Sequence, residues 1–141
     1  MPELLEYLKE LAEKSELVRT GQIDPSEANM LTITNDGRKA ALDIRLVVPD
    51  AQDYEDSKVN CCVDNVFRIW AETGEKKSTQ LVFSDLSTPK PIEMKKNEQD
   101  IWEVDASSIS VYMDVKTKLM AKGIPAKEIE FIHDGATRSC I

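Results

Sequence analysis

The chain has 141 residues, a net charge of −8, 41% hydrophobic and 31% charged residues. That length suits one ordinary domain able to bury a core without disulfide staples. The negative balance argues against a free-standing nucleic-acid binder, since phosphate contacts need clustered Lys and Arg.

The start, Met1-Pro2-Glu3-Leu4-Leu5-Glu6, is acidic and has neither the basic flank nor the apolar centre of a secretory signal. No apolar run approaches the roughly 20 residues of a membrane span. The expected compartment is the cytoplasm, with no membrane partner.

Pro2 to Thr20 predicts an amphipathic docking helix, the main part of an N-terminal segment 1–22. Leu4, Leu8, Leu11, Ser15 and Val18 form its stripe, with Leu5 and Ala12 beside it. Pro2 fits a first turn and Gly21 a stop. Asp24-Pro25-Ser26 is a turn signal. Met30-Leu31-Thr32-Ile33 reads as a short extended stretch, after which Thr34 or Asn35 caps a second helix through Arg38, Ala41 and Leu42. Gly37 opposes that helix by about 1 kcal/mol relative to alanine. Val48 to Glu55 contains Pro49 and three acidic residues and reads as an exposed loop.

Ser57 opens the clearest helix. Val59, Cys62, Val63, Val66, Ile69 and Trp70 keep helical spacing to Thr73, and Gly74 ends it. Cys61 and Cys62 lie in this helix and read as small core hydrophobes; with Cys140 they make an odd count without CxxC spacing, which excludes a zinc site or disulfide framework.

Leu81-Val82-Phe83 is an apolar run bounded by polar corners, the pattern of a buried parallel strand. The insert 86–106 is either a surface loop or a small hairpin turning near Asn97, with Ile92-Glu93-Met94 facing Ile101-Trp102-Glu103-Val104. Ser107 or Ser108 caps a helix whose inner face carries Ile109, Tyr112, Val115, Lys116, Leu119 and Met120. Gly123 and Pro125 end it. Ile129 to Ile132 then reads as a second strand, joined to the first by a right-handed crossover. The N-terminal helix or the insert should cover one face of this sheet. Failing that, the chain should self-associate, because open edges and apolar faces demand cover.

The chemistry-bearing motifs are sparse. The sequence contains no GxxxxGK[ST], no GxGxxG and no HExxH. His133 is its single histidine and precedes Asp134. Neighbouring residues on a strand point to opposite sides, so a polar strand end outweighs a catalytic pair. Ser84, Asp85, Ser87 and Thr88 follow the first strand. They read equally as a capping turn or as a contact for phosphate and sugar oxygens.

The phrases Gln80-Leu81-Val82-Phe83-Ser84-Asp85-Leu86-Ser87-Thr88-Pro89-Lys90, Val111 to Pro125 and Glu130-Phe131-Ile132-His133-Asp134 together resemble one known region. It is the opening of the second RecA-like lobe of superfamily-two helicases. The likeness is to the Swi/Snf-like helicase region of bacterial, phage and mobile-element proteins, often fused to DNA methylases. Met30 to Asp43 resembles the segment leading into that lobe.

The resemblance implies an α/β fold, a partial RecA-like lobe with a small parallel sheet and flanking helices over 1–141. It implies a P-loop NTPase relationship, with ATP and Mg held by the parent family and no cofactor held by this chain. It places Phe83, Ser84, Asp85, Ser87, Thr88, His133 and Asp134 at a nucleic-acid or inter-lobe edge. The first lobe and the arginine motif of the second have no counterpart in these residues, so the chain reads as a truncated lobe without ATPase activity alone. DNA within a larger assembly, a missing helicase lobe or a second copy are the partners expected. The alternative reading is a small acidic protein-interaction module.

Overall fold

The computed structural model describes residues 2–86, 94–96, 102–104 and 109–132. The chain divides into two compact units, Met1–Lys58 and Val59–Ile141.

The first unit is a helical hairpin followed by a turn. Helix α1 spans Pro2–Arg19 and helix α2 spans Met30–Leu42. The inward face of α1 carries Leu4, Tyr7, Leu11, Ser15 and Val18, so Tyr7 takes the place expected for Leu8, which is 41% exposed. Gly21 adopts φ +71° where the chain leaves α1, a conformation glycine reaches without a Cβ penalty.

Met30-Leu31-Thr32-Ile33 is helical, not extended. The reason is a cap further upstream than Thr34 or Asn35. The Asn29 side chain accepts hydrogen bonds from the Thr32 backbone N–H at 2.9 Å and from the Thr32 hydroxyl at 3.1 Å. Satisfying that early donor lets the helix begin at Met30. Inside α2, Gly37 lies against α1, and a Cβ added there would sit 3.9 Å from Leu11 Cδ1.

Asp43 ends α2 and opens a single 3-10 turn, Ile44–Leu46. Its carboxylate accepts from the Arg45 backbone N–H at 3.0 Å and from the Arg45 guanidinium at 2.9 and 2.7 Å. Asp43 is 3% exposed, so this pairing is what permits a carboxylate to be buried.

The second unit is built on helix α3, Lys58–Thr73, and helix α4, Val111–Lys122. Val63, Leu119 and Ile124 form its buried centre, with Val66, Phe67, Trp70, Val115 and Ile129 packed around them. Ser110 caps α4 by accepting from the Met113 N–H. Ser107 and Ser108, the expected caps, lie outside the described residues.

Gly123 closes α4 at φ +115°, its N–H bonded to Leu119 and Met120 carbonyls. Ile124 N–H bonds back to the Leu119 carbonyl at 3.1 Å. This is the left-handed cap in which the residue after glycine folds onto the helix it ends. Ile124 is 5% exposed as a result.

The expected α/β fold is not present: the described structure is helical and holds no parallel sheet. Residues 81–83 and 129–131 carry no strand pairing. Leu81, Val82 and Phe83 are 78%, 48% and 87% exposed. Strand preference is realised only against a neighbouring strand, and a short apolar run without one remains coil. The described residues form one ladder, an antiparallel pair in the insert. Strand β1, Met94–Lys96, meets strand β2, Trp102–Val104, with Met94 opposite Val104 and Lys96 opposite Trp102. The two described strands of the insert pair as the hairpin alternative expects, and the turn between them lies outside the described residues. With no parallel sheet, the question of which element covers its face does not arise.

Gly37→Ala should raise stability by about 0.5–1 kcal/mol, because the helix interior gains propensity and the new methyl meets Leu11 at ordinary contact distance. Denaturant titration of the two proteins reads this directly; a loss of stability would mean the α1–α2 approach is tighter than described.

Candidate functional site

Helix α4 is the element on which the residues of interest converge. Its base is fastened to α3 by polar contacts around the apolar centre. Lys118 Nζ lies 2.6 Å from Asn60 Oδ1 and 2.8 Å from Asp114 Oδ2. Lys122 pairs with Asp64 at 2.7 Å and sits 5.5 Å from the centre of the Phe67 ring. Trp70 donates its indole N–H to Glu128 at 2.8 Å and stacks on Phe67 at 6.0 Å between centroids. These half-exposed charges add modestly to stability and chiefly fix the pairing of the two helices.

On α4, Tyr112 holds two coil segments at once. Its hydroxyl donates to the Ser84 carbonyl at 2.7 Å, and its ring meets Phe131 edge-on at 5.7 Å. Lys116 lies 5.1 Å from the Phe131 centroid. Gln80 donates its side-chain N–H to the Val66 carbonyl at 2.9 Å. The run from Gln80 to Ser84 is thus tied at both ends while Leu81 and Phe83 face solvent. Periodicity alone assigned Tyr112 to a core face. A tyrosine there was a signal for something more, because its hydroxyl needs a partner.

The sequence-derived candidates divide as follows. Phe83 is exposed and Ser84 is half-buried, with its hydroxyl donating to the Leu86 carbonyl at 2.9 Å. Asp85 is exposed. Phe83, Ser84 and Asp85 sit together beside α4. Ser87, Thr88, His133 and Asp134 lie outside the described residues. Among the described residues no three His, Cys, Asp or Glu side chains gather in a way that would hold a metal ion. No helix described is long and apolar enough to cross a membrane.

Cys61 is exposed, contrary to its expected place in the core, whereas Cys62 is half-buried. Helical geometry makes the difference: adjacent residues are turned about 100° apart, and only Cys62 follows Val59 and precedes Val66 on the inner side. Burial pushes the Cys62 thiol above its ordinary range.

In the first unit, partial burial, with Asp36 and Glu10 nearby, pushes the Tyr7 hydroxyl upward. The Ser26 hydroxyl and N–H, at 2.6 and 2.8 Å, hold the Asp24 carboxyl below its usual value. A shallow cleft of about 220 Å3 is lined by residues including Pro2, Glu3, Ile44 and Tyr54. Beside it Arg45 reaches Asp53 at 3.5 Å as well as Asp43. These groups fold the turn and present no nucleophile set against a base.

No protein-family model, no curated protein and no solved structure matches the chain.

Tyr112→Phe should cost about 1 kcal/mol and speed amide hydrogen exchange across residues 80–84, leaving exchange in α1 unchanged. Thiol mapping provides a second check. Maleimide should label Cys61 well before Cys62, and labelling of Cys62 should accelerate only at higher pH. Its raised value also means that the stability it contributes below the ordinary thiol range is lost as pH climbs through the folded-state value.

Proposed function

We propose that this chain is part of the C-terminal lobe of a helicase-like DNA translocase and does not turn over ATP alone. The observation that supports the reading is the meeting of three resembling phrases on one helix. Tyr112, inside the phrase 111–125, touches Ser84 from the phrase 80–90 and Phe131 from the phrase 130–134. Segments distant in sequence and alike to one region of a known family are neighbours here.

Motors of that family transfer phosphate between two facing lobes, with a backbone phosphate cradle, metal-holding acids and arginines converging on the transferred group. These 141 residues contain no phosphate-cradle motif. In this reading Phe83, Ser84 and Asp85 lie at an edge that meets nucleic acid or the opposing lobe; Ser87, Thr88, His133 and Asp134, the other residues the resemblance assigns to it, lie outside the described residues. ATP and Mg belong to the assembled motor.

A second reading, an acidic protein-interaction module, is favoured by the charge of the first unit. Residues 1–58 carry 13 acidic and 7 basic side chains, and α1 exposes Leu5 at 60% and Leu8 at 41%.

Phosphate release from ATP with DNA present should stay at background for the chain alone; robust turnover overturns the translocase-fragment reading. Fluorescence anisotropy with a labelled DNA strand separates the two readings. Asp85→Lys should strengthen DNA binding several-fold by removing a repulsive charge at the contact edge, and Glu10→Lys on α1 should do so less. Equal effects, or none, favour the interaction module.

A further inference from the structure

We propose that residues 78–84 form a strap that lifts from helices α3 and α4 as one piece, between Lys77 and Asp85, while both helices stay folded. The inference concerns a motion of the chain, goes beyond the translocase reading and does not depend on it.

Three observations carry it. The first is how little holds the strap down. Gln80 donates its side-chain N–H to the Val66 carbonyl of α3 at 2.9 Å, and Tyr112 of α4 donates its hydroxyl to the Ser84 carbonyl at 2.7 Å. Among the described residues no backbone–backbone hydrogen bond engages residues 78–84. Ser78, Thr79, Leu81, Val82 and Phe83 are all exposed, so closing the strap removes little apolar surface from water. A segment with so few buried contacts opens at a free energy well below that of global unfolding.

The second is strain where the strap begins. Lys77 has φ 49° and ψ 44°, and among the described residues it is the one non-glycine position with positive φ. A side chain with a Cβ is disfavoured there. The closed strap requires this conformation. Val66 lies about two helical turns back from the end of α3 at Thr73, so the chain must reverse before Gln80 can reach the Val66 carbonyl, and Lys77 makes the reversal. A lifted strap has no such demand, and Lys77 then returns to the ordinary region. The closed state is a balance of side-chain hydrogen bonds against an unfavourable pair of dihedral angles, effects of like size.

The third is that the helices beneath are joined without the strap. Val63, Leu119 and Ile124 form the buried centre, and Lys118–Asn60 at 2.6 Å and Lys122–Asp64 at 2.7 Å fasten its polar edge. Tyr112 keeps its ring against Phe131 at 5.7 Å whether or not its hydroxyl holds Ser84. The strap can therefore leave while α3 and α4 remain paired. Lifting releases the Val66 carbonyl from Gln80 and the Tyr112 hydroxyl from Ser84 together, so the motion changes the polar groups offered on this side of both helices.

Limited chymotrypsin digestion of the full chain, with cutting after Leu81 and Phe83 located and timed by mass spectrometry, tests the proposal. At low protease the rate follows the lifted population. Lys77→Asn and Lys77→Val remove the same charge, but asparagine tolerates the left-handed region and β-branched valine does not. The Asn variant should be cut about threefold more slowly than the unsubstituted chain and the Val variant about fivefold faster. Gln80→Ala and Tyr112→Phe should each be cut about fivefold faster. With both of those changes in place, the Val and Asn variants should be cut at nearly equal rates. Dilute urea should leave the rate at these sites almost unchanged, because lifting exposes little surface. Circular dichroism confirms that each variant keeps its helices. A rate that climbs steeply with urea means that cutting awaits global unfolding and overturns the proposal. Equal cutting of the Asn and Val variants in the tethered chain overturns it too, as does a difference between them that persists once both tethers are gone.

Discussion

The contact of Leu119 and Ile124 with Val63 is the one on which the second unit depends. It exists because Gly123 takes a left-handed conformation, which turns the chain back so that Ile124 covers the helix it has just left. Any residue with a Cβ would resist that turn. Once Ile124 is in place, Ile129 completes the cluster, and the Trp70–Glu128 bond fixes the same corner from the polar side. Phe131 is then within reach of Tyr112, and Tyr112 fixes Ser84. The exposed run is displayed by this sequence of contacts.

The first unit uses a different device. Its helices meet where Leu11 of α1 faces Gly37 of α2, with room for a methyl group between them, and its terminal turn is set by a buried carboxylate. Replacing Arg45 alone would leave the buried Asp43 carboxylate without its guanidinium, which is costlier than the pair is worth, whereas Arg45 keeps Asp53 when Asp43 is replaced. The pair should be read as a determinant of turn geometry more than of net stability.

The helices were legible in the sequence where periodicity and end signals agreed. Lys58–Thr73 and Val111–Lys122 carry apolar residues at helical spacing, and Gly74, Gly123 and Pro125 punctuate them. Met30-Leu31-Thr32-Ile33 misled because four mostly apolar residues fit strand and helix alike; the deciding signal was Asn29 three residues ahead of Thr32, a cap in plain view. Leu81-Val82-Phe83 misled for a deeper reason. Local pattern states a willingness to pair, and pairing depends on a neighbour that no short window contains. The same holds for the candidate edge: Ser84 and Asp85 read as a capping turn or an oxygen contact after an expected strand, while the tether from Tyr112, 28 residues away, had no local trace.

Lys77 holds φ +49° at the junction between the 3-10 turn Gly74–Lys76 and the exposed run. A lysine in that region sits about 1 kcal/mol or more above its relaxed backbone. The heading on which residues 78–84 depart from α3 is therefore set by one costly pair of dihedral angles. A relaxed Lys77 would pull the apolar tip against the Gln80 and Ser84 tethers, so pivot and tethers together govern where the strip is aimed.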